Sequence, residues 1–509
     1  MTRKLLLFLG GLLFVYGLSY GYPLLETESF VLCMENYFRT DLISFNNTVD
    51  LDSGNAQDSV TYFGIDYSLA FDLEFKHRGP IVFLKFERNG PYDYSAPLFI
   101  EHKLVVAGPS RIEAYRNEEL LPQVEEFWVD LPVADTPLRF KTGLFPYEVG
   151  MGFTQGTGSF ENYGLNLTYL SDDFSWRLHY FRPDLAYKTH LGPKIKQEKQ
   201  EGISYEPNAA NYFAFDAAFS SGGNNFGPFI GLLLDNTSSG KRANLFAAPV
   251  HREILGTLGL DWEIMIKDLS LGFEAARNFG KAKSEDGAFK DIGHKGYLFY
   301  TTVCYNIAKL SPHCQFVYSS GNKVTTEMVD NGDEQFVGGA NKAFSAYSPL
   351  NTNLMDSLCP VPDSLPLVFF GWGYGMNYGL GLNRPSTLAD DCVLENLIMP
   401  SFGFVYRFSD KFSATLDWWY MLANEKGVGT WEGAAKELSR NLGQEIDLSL
   451  SYDINKQINI SLCTGYFFPG EYFKEKRDDT EGSLFTPFVR GDGNADKAFQ
   501  IELVAEFKF

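Results

Sequence analysis

The sequence predicts an all-β chain, a single antiparallel transmembrane β-barrel of about 18 strands with short turns at one end and long loops at the other. Three observations predict it. Apolar and polar residues alternate with a period of two through most of the chain. The alternating segments come in pairs, joined by tight turns and separated by long connections. The last segment, from Phe499 to Phe509, is amphipathic and ends on an aromatic residue.

Residues 1–21 stand apart from this pattern. Arg3 and Lys4 supply positive charge, Leu5 to Leu18 form a short apolar run, and Ser19-Tyr20-Gly21 places small residues before a cut after Gly21. That order reads as a secretory signal peptide. It leaves residues 22–509 as one barrel domain. No Cys follows the cut, so no lipid-attachment site is expected there.

The alternation is clearest over residues 61–75. Thr61, Phe63, Ile65, Tyr67, Leu69, Phe71, Leu73 and Phe75 fall on one face of a strand, with Tyr62, Gly64, Asp66, Ser68, Ala70, Asp72 and Glu74 on the other. A soluble sandwich also alternates, with its apolar side inward. Recurrence over nearly the whole chain, behind a signal peptide, fits a barrel with lipid outside and water inside. The predicted strands pair as 59–77 with 80–88, 124–133 with 136–147, 162–170 with 174–183, and 211–219 with 227–236. Then follow 254–266 with 269–279, 295–307 with 311–320, 398–409 with 412–424, and 443–454 with 457–467. A first strand near 30–44 and a last near 497–509 complete an even number, as single-chain outer-membrane barrels have. The turns would lie in the periplasm and the long loops outside the cell, in the outer membrane of a Gram-negative-type bacterium.

Composition agrees with this reading and excludes others. The 509 residues include 16% aromatics and 48 Gly, which suits many strands and Gly-rich loops. The net charge of −21 argues against a nucleic-acid partner, because phosphate backbones demand clustered Lys and Arg. Mean hydropathy is −0.16 and no long apolar run follows the N-terminus, which excludes a bundle of spanning helices.

Several segments resemble the alginate export family of outer-membrane porins. They are Glu125 to Leu131 followed by Pro137 to Gly143, Leu269 to Ala276 ending in Asn278-Phe279-Gly280, Phe316 to Asn322, and Leu442 to Leu448 through Gly465 to Glu471. The resemblance implies an 18-stranded pore, a passive channel and an acidic polysaccharide as cargo. The terminal strand also resembles those by which the barrel assembly machinery recognises its clients, which makes that machinery and outer-membrane lipid the expected partners.

Alternation assigns the lumen. The inward basic candidates are Arg39, Lys85, Arg139, Lys141, Arg177 and Arg407, with His179 beside them. The inward acidic candidates are Glu126, Asp130, Asp216, Asp261, Glu263, Glu274, Asp417, Glu445, Asp447, Glu502 and Glu506, joined by Asp66 and Asp72. One wall is mixed and the other acidic. Arg139 and Lys141 face Glu126 and Asp130 across a hairpin, which reads either as ion pairing on a wet wall or as a guide for anionic solutes. Opposed charge across a pore orients polar solutes. A polyuronate calls for a positive lumen, so neutral sugars, cations or small zwitterions fit this lining at least as well. Trp128 and Trp419 also point inward by parity, as sugar contacts or as packing. Tyr163, Tyr169, Trp176, Tyr180, Trp262, Trp418 and Tyr420 fall on the apolar face, as interfacial belts require.

The remaining chemistry is sparse. The 7 His include no His-x-x-x-His, and no Ser, His and Asp share a recognisable spacing, so no enzyme, metal site or cofactor is expected. Gly371-Trp372-Gly373-Tyr374-Gly375 lacks the strand-to-helix setting of a phosphate loop and belongs to the long connection 321–397. The 6 Cys suggest two candidate disulfides, Cys359–Cys392 within that connection and Cys304–Cys314 across a hairpin. The function expected is a channel for passive passage of small hydrophilic solutes. The alternative is a barrel plugged by the long connection, acting as an adhesin or envelope scaffold.

Overall fold

The computed structural model describes residues 23–46, 60–77, 79–88, 123–134, 136–149, 155–156, 162–182, 210–235, 250–284, 291–321, 323, 326, 340–341, 366, 396–476 and 493–508. Residues 1–22, Phe509 and most of the 321–397 connection lie outside these residues.

Eighteen strands form one closed ring. They are β1 (Phe30–Asn46), β2 (Val60–Phe75), β3 (Ile81–Arg88), β4 (Gln123–Pro132), β5 (Leu138–Phe145) and β6 (Asn162–Leu170). Next come β7 (Phe174–Arg182), β8 (Ala210–Ser221), β9 (Asn224–Asp235), β10 (Val250–Ile266), β11 (Leu269–Ser284) and β12 (Tyr297–Tyr305). The last six are β13 (Leu310–Ser319), β14 (Leu397–Ser409), β15 (Phe412–Ala423), β16 (Asn441–Asp453), β17 (Ile458–Pro469) and β18 (Ala498–Lys508). Each pairs antiparallel with its sequence neighbours, and β18 returns to pair with β1 from Tyr37↔Lys508 to Asn46↔Phe499. Closure matters because lipid offers no partner for an exposed strand edge.

The tight turns have the backbone chemistry they need. Between β8 and β9, Gly222 and Gly223 both take positive φ, at 59° and 85°, which a two-residue turn matching the strand twist requires. The turn extends β9 back to Asn224, three residues before the sequence expectation. The β10–β11 hairpin reaches Val250 and Ser284 on the loop side, also beyond expectation. Several loop-side segments stay close to the barrel. A single-turn helix, α1 (Glu471–Lys474), follows β17, and a hairpin of residues 428–437 sits between β15 and β16.

Burial is inverted relative to a water-soluble protein. Phe402, Leu258 and Trp262 are 56%, 56% and 46% exposed on the outer face, whereas Glu274 and Glu445 are fully buried inside. Apolar side chains outside and ionisable ones inside are what a lipid-embedded barrel demands. Aromatic pairs mark both rims of the outer face. Tyr169 and Trp176 stack at 6.1 Å near the turns, and the Tyr297 and Tyr318 hydroxyls meet at 3.2 Å near the loops. Among the described residues no helix is long and apolar enough to cross a membrane.

Candidate functional site: the barrel interior

Cross-strand register decides which side chains share the interior. On the early wall, β6, β7 and β8 bring Thr168, Arg177 and Asp216 into one row. The Arg177 guanidinium donates to Asp216 Oδ1 at 2.7–2.8 Å, and His179 Nε2 lies 2.9 Å from Asp216 Oδ2. One carboxylate thus holds two basic groups. On β4 and β5, Arg139 Nε donates to both Asp130 oxygens at 3.0 Å, and Lys141 Nζ lies 3.8 Å above the Trp128 ring. The Trp128 indole donates to Glu126 Oε2 at 3.1 Å, and Lys85 stands in register with Glu126. At the barrel seam, Arg39 pairs with Glu502 at 2.9 Å and Tyr37 donates to Glu506 Oε1 at 3.0 Å. Arg39 is also in register with Asp66. Each of these contacts is charge-assisted and most are half-buried, so they fix the wall's geometry as well as its charge.

The later wall is acidic. Asp261 faces Glu274, and Asp417 faces Asp447, directly across strand pairs. Like charges in that position repel. Asp417 has a remedy, because His313 Nε2 reaches its Oδ1 at 2.5 Å. His313 is on β13 and Asp417 on β15, with β14 between them. The bond passes over Gly403, where an added Cβ would collide with both partners, so glycine is required at that position. Glu263 accepts from Asn225 at 3.1 Å, and Glu445 is buried in register with Trp419. Asp72 is on β2 two residues from Ala70, which is in register with Lys85. Arg407 stands at the turn end of β14, opposite Ser413.

The interior's loop-side half has a different character, which the alternation reading did not reveal. Phe181, Tyr212, Leu233, Leu255, Leu298, Val317, Met399, Met421 and Phe467 face inward there, and each is at most 3% exposed. Residues outside the strands join this cluster. Tyr472 and Phe473 of α1 pack against it, with Phe473 5.9 Å from the Phe467 ring, and Leu438 and Tyr147 contribute as well. Tyr147 lies 4.3 Å from His179 and 5.1 Å from Phe181. The signal for this half is loss of alternation at the loop ends of strands. Leu232-Leu233-Leu234, Leu397-Ile398-Met399 and Tyr466-Phe467-Phe468 are apolar on both faces.

One disulfide expectation is corrected. Cys304 is in register with His313, and Cys314 with Val303. The turn centres between residues 308 and 309, so the two thiols are one residue out of step. A one-residue offset puts side chains on opposite faces. Cys304 is buried inside, Cys314 is exposed outside, and both are free thiols. Cys359, Cys392 and the Gly371 to Gly375 segment lie outside the described residues. Among the described residues no group of three or more His, Cys, Asp or Glu could hold a metal ion.

No family model matches the chain, and no curated protein matches it. Solved structures do. Those of Pseudomonas aeruginosa include OccK11 (OpdR), at 9% identity and TM-score 0.46, covering 96% of this chain and 99% of its own. The outer membrane protein OpdK, at 10% identity and TM-score 0.47, covers 94% and 98%. OccK2 (OpdF), in complex with glucuronate, is 8% identical with TM-score 0.47, again covering 94% and 98%. The similarity is one of overall shape across nearly the full length of each chain.

Proposed function

We propose that this chain is an outer-membrane channel through which small hydrophilic solutes pass by diffusion. The observation that carries the reading is the inverted barrel, with its ionisable residues gathered inside a closed ring and its apolar residues outside. A wall of that kind has no purpose in a packed soluble core, where buried charges cost several kcal/mol each. It suits a path for water and solutes.

In this reading Arg39, Lys85, Arg139, Lys141, Arg177 and Arg407, with the eleven carboxylates assigned by alternation, set the potential along the path. Carboxylates outnumber cations, so the field favours cations and neutral solutes. The buried loop-side cluster narrows the path, which favours selectivity over bulk flow. An acidic polysaccharide, the cargo implied by the alginate export resemblance, would be repelled by the later wall. Export of such a polymer therefore has weaker support than passage of small solutes. The export route itself, a signal peptide at 1–21 followed by recognition of the strand ending at Phe509, is part of the same proposal.

A second reading has one specific observation in its favour. The apolar loop-side cluster is packed as tightly as a core, as a plugged adhesin or scaffold would be. Reconstitution into planar bilayers separates the two. Discrete conductance steps are expected of the channel, and a silent barrel supports the plug.

A further inference from the structure

Buried polar atoms without a hydrogen-bond partner occur at several places in the barrel, and four of them fall in one row. Thr302, Gln315, Ser401 and Trp419 are consecutive register partners on β12, β13, β14 and β15. They share the inner face and are 3%, 3%, 5% and 0% exposed. Thr302 Oγ1, Gln315 Nε2, Ser401 Oγ and Trp419 Nε1 all lack a hydrogen-bond partner. The Gln315 carbonyl is engaged by the Tyr300 hydroxyl at 3.2 Å, which leaves the amino group as its free end. A buried polar atom without a partner costs about 1–3 kcal/mol, and native proteins keep few of them. Four on neighbouring strands, with side chains on one face about 5 Å apart, form a built surface with unmet demand.

The surroundings define what would meet that demand. Two residues toward the loops on the same strands stand Tyr300, Val317, Met399 and Met421, all fully buried. Two residues toward the turns stand Cys304, His313, Gly403 and Asp417. Glu445 continues the row beyond Trp419, and Asp447 lies opposite Asp417. The row therefore offers hydrogen-bond donors, with apolar surface on one side and carboxylates on the other.

We infer that this row is a binding subsite for a neutral polyhydroxylated solute, a sugar or sugar alcohol. An anion would be repelled by Asp417, Asp447 and Glu445. A cation meets the positive ends of the Gln315 amino group and the Trp419 indole N–H in the row itself, both of which are donors only. A hydroxyl both accepts from the indole and carboxamide and donates to neighbouring oxygens, and the C–H face of a sugar ring suits Val317, Met399 and Met421. The subsite deepens the channel reading, since it names the solute class, but its occupancy can be measured without any conduction.

The test is calorimetric titration of glucose into the full-length barrel in a sugar-free zwitterionic detergent, with gluconate and glucosamine as charged comparators. Saturable glucose binding is expected, with both comparators weaker. Trp419→Phe with Ser401→Ala should weaken glucose about tenfold or more, since two donors are lost. Gln315→Glu, which replaces a donor by a carboxylate, should transfer preference to glucosamine, an outcome that a merely structural role does not produce. Absence of saturable glucose binding up to about 100 mM would overturn the proposal. So would equal affinity in the variants, or tighter binding of a charged comparator. If glucose binds and bilayers stay silent, the subsite stands and the channel reading falls.

Discussion

The two halves of the barrel interior obey different rules. Toward the turns, inward side chains are charged or hydroxylated and pair across strands, as Arg177 does with Asp216 and His313 with Asp417. Toward the loops the same inward positions carry Leu233, Leu255, Met399, Met421 and Phe467, packed with Tyr472 and Phe473 from α1. One sheet thus changes from a wet wall to a dry one along its own strands. Parity fixes which face a side chain occupies, but what that face meets depends on the segments that fold back over it.

The contrast can be broken at chosen positions. The largest effect is expected from an uncompensated charge in the dry half. Met421→Asp should destabilise the barrel by about 3–5 kcal/mol, because no cation lies in register to receive it. Ser413→Asp on the same strand, opposite Arg407, should cost little. Urea midpoints of the refolded barrel measure both, and equal losses would erase the distinction between halves. Gly403→Ala comes next. Its methyl would meet Asp417 Oδ1 and His313 Nε2 and part them, at a cost of about 1–3 kcal/mol. An unchanged midpoint would mean that the His313–Asp417 bond contributes nothing. Arg177→Glu should leave the sign of ion selectivity unchanged, because the carboxylates already dominate the wall. A reversed sign on substitution would instead assign the constriction to Arg139, Lys141 and Arg177, and would restore the acidic-polysaccharide cargo.

The smallest effect belongs outside the membrane. In the loop-side hairpin, Lys426 lies 2.7 Å from Glu437 and holds its carboxyl below the usual carboxylate range. A depressed carboxyl adds stability above its unfolded pKa and loses it as pH falls through the folded value. Glu437 and Lys426 are both exposed, however, and solvent screens the pair. Glu437→Gln should therefore leave the urea midpoint unmoved from neutral pH down through the acid range.

How much of this was legible in the sequence follows from what period two can report. Strand pairing depends on local alternation and turn residues, so the ring of strands and its closure were readable to within a few residues. Side-chain parity is equally local, which is why Arg139 with Asp130 and Arg177 near His179 emerged from spacing alone. Register across a turn depends on where the turn centres. A half-residue error at Ala308 was enough to place Cys304 and Cys314 on the wrong faces relative to each other. Loss of alternation marks the dry half, but Tyr466-Phe467-Phe468 looks the same whether its inner face meets water or α1. The donor row was also hidden. Thr302, Gln315, Ser401 and Trp419 span some 120 residues of sequence and meet only through register.

The central claim is a conducting path whose charged half is net acidic. The reversal potential of the reconstituted barrel across a tenfold KCl gradient tests it most directly. At low salt, where the Debye length is about 10 Å or more, the sign should report cation preference, fading as both sides are raised toward molar salt. A clear anion preference would contradict the assignment of the wall, and the absence of any current would contradict the channel itself.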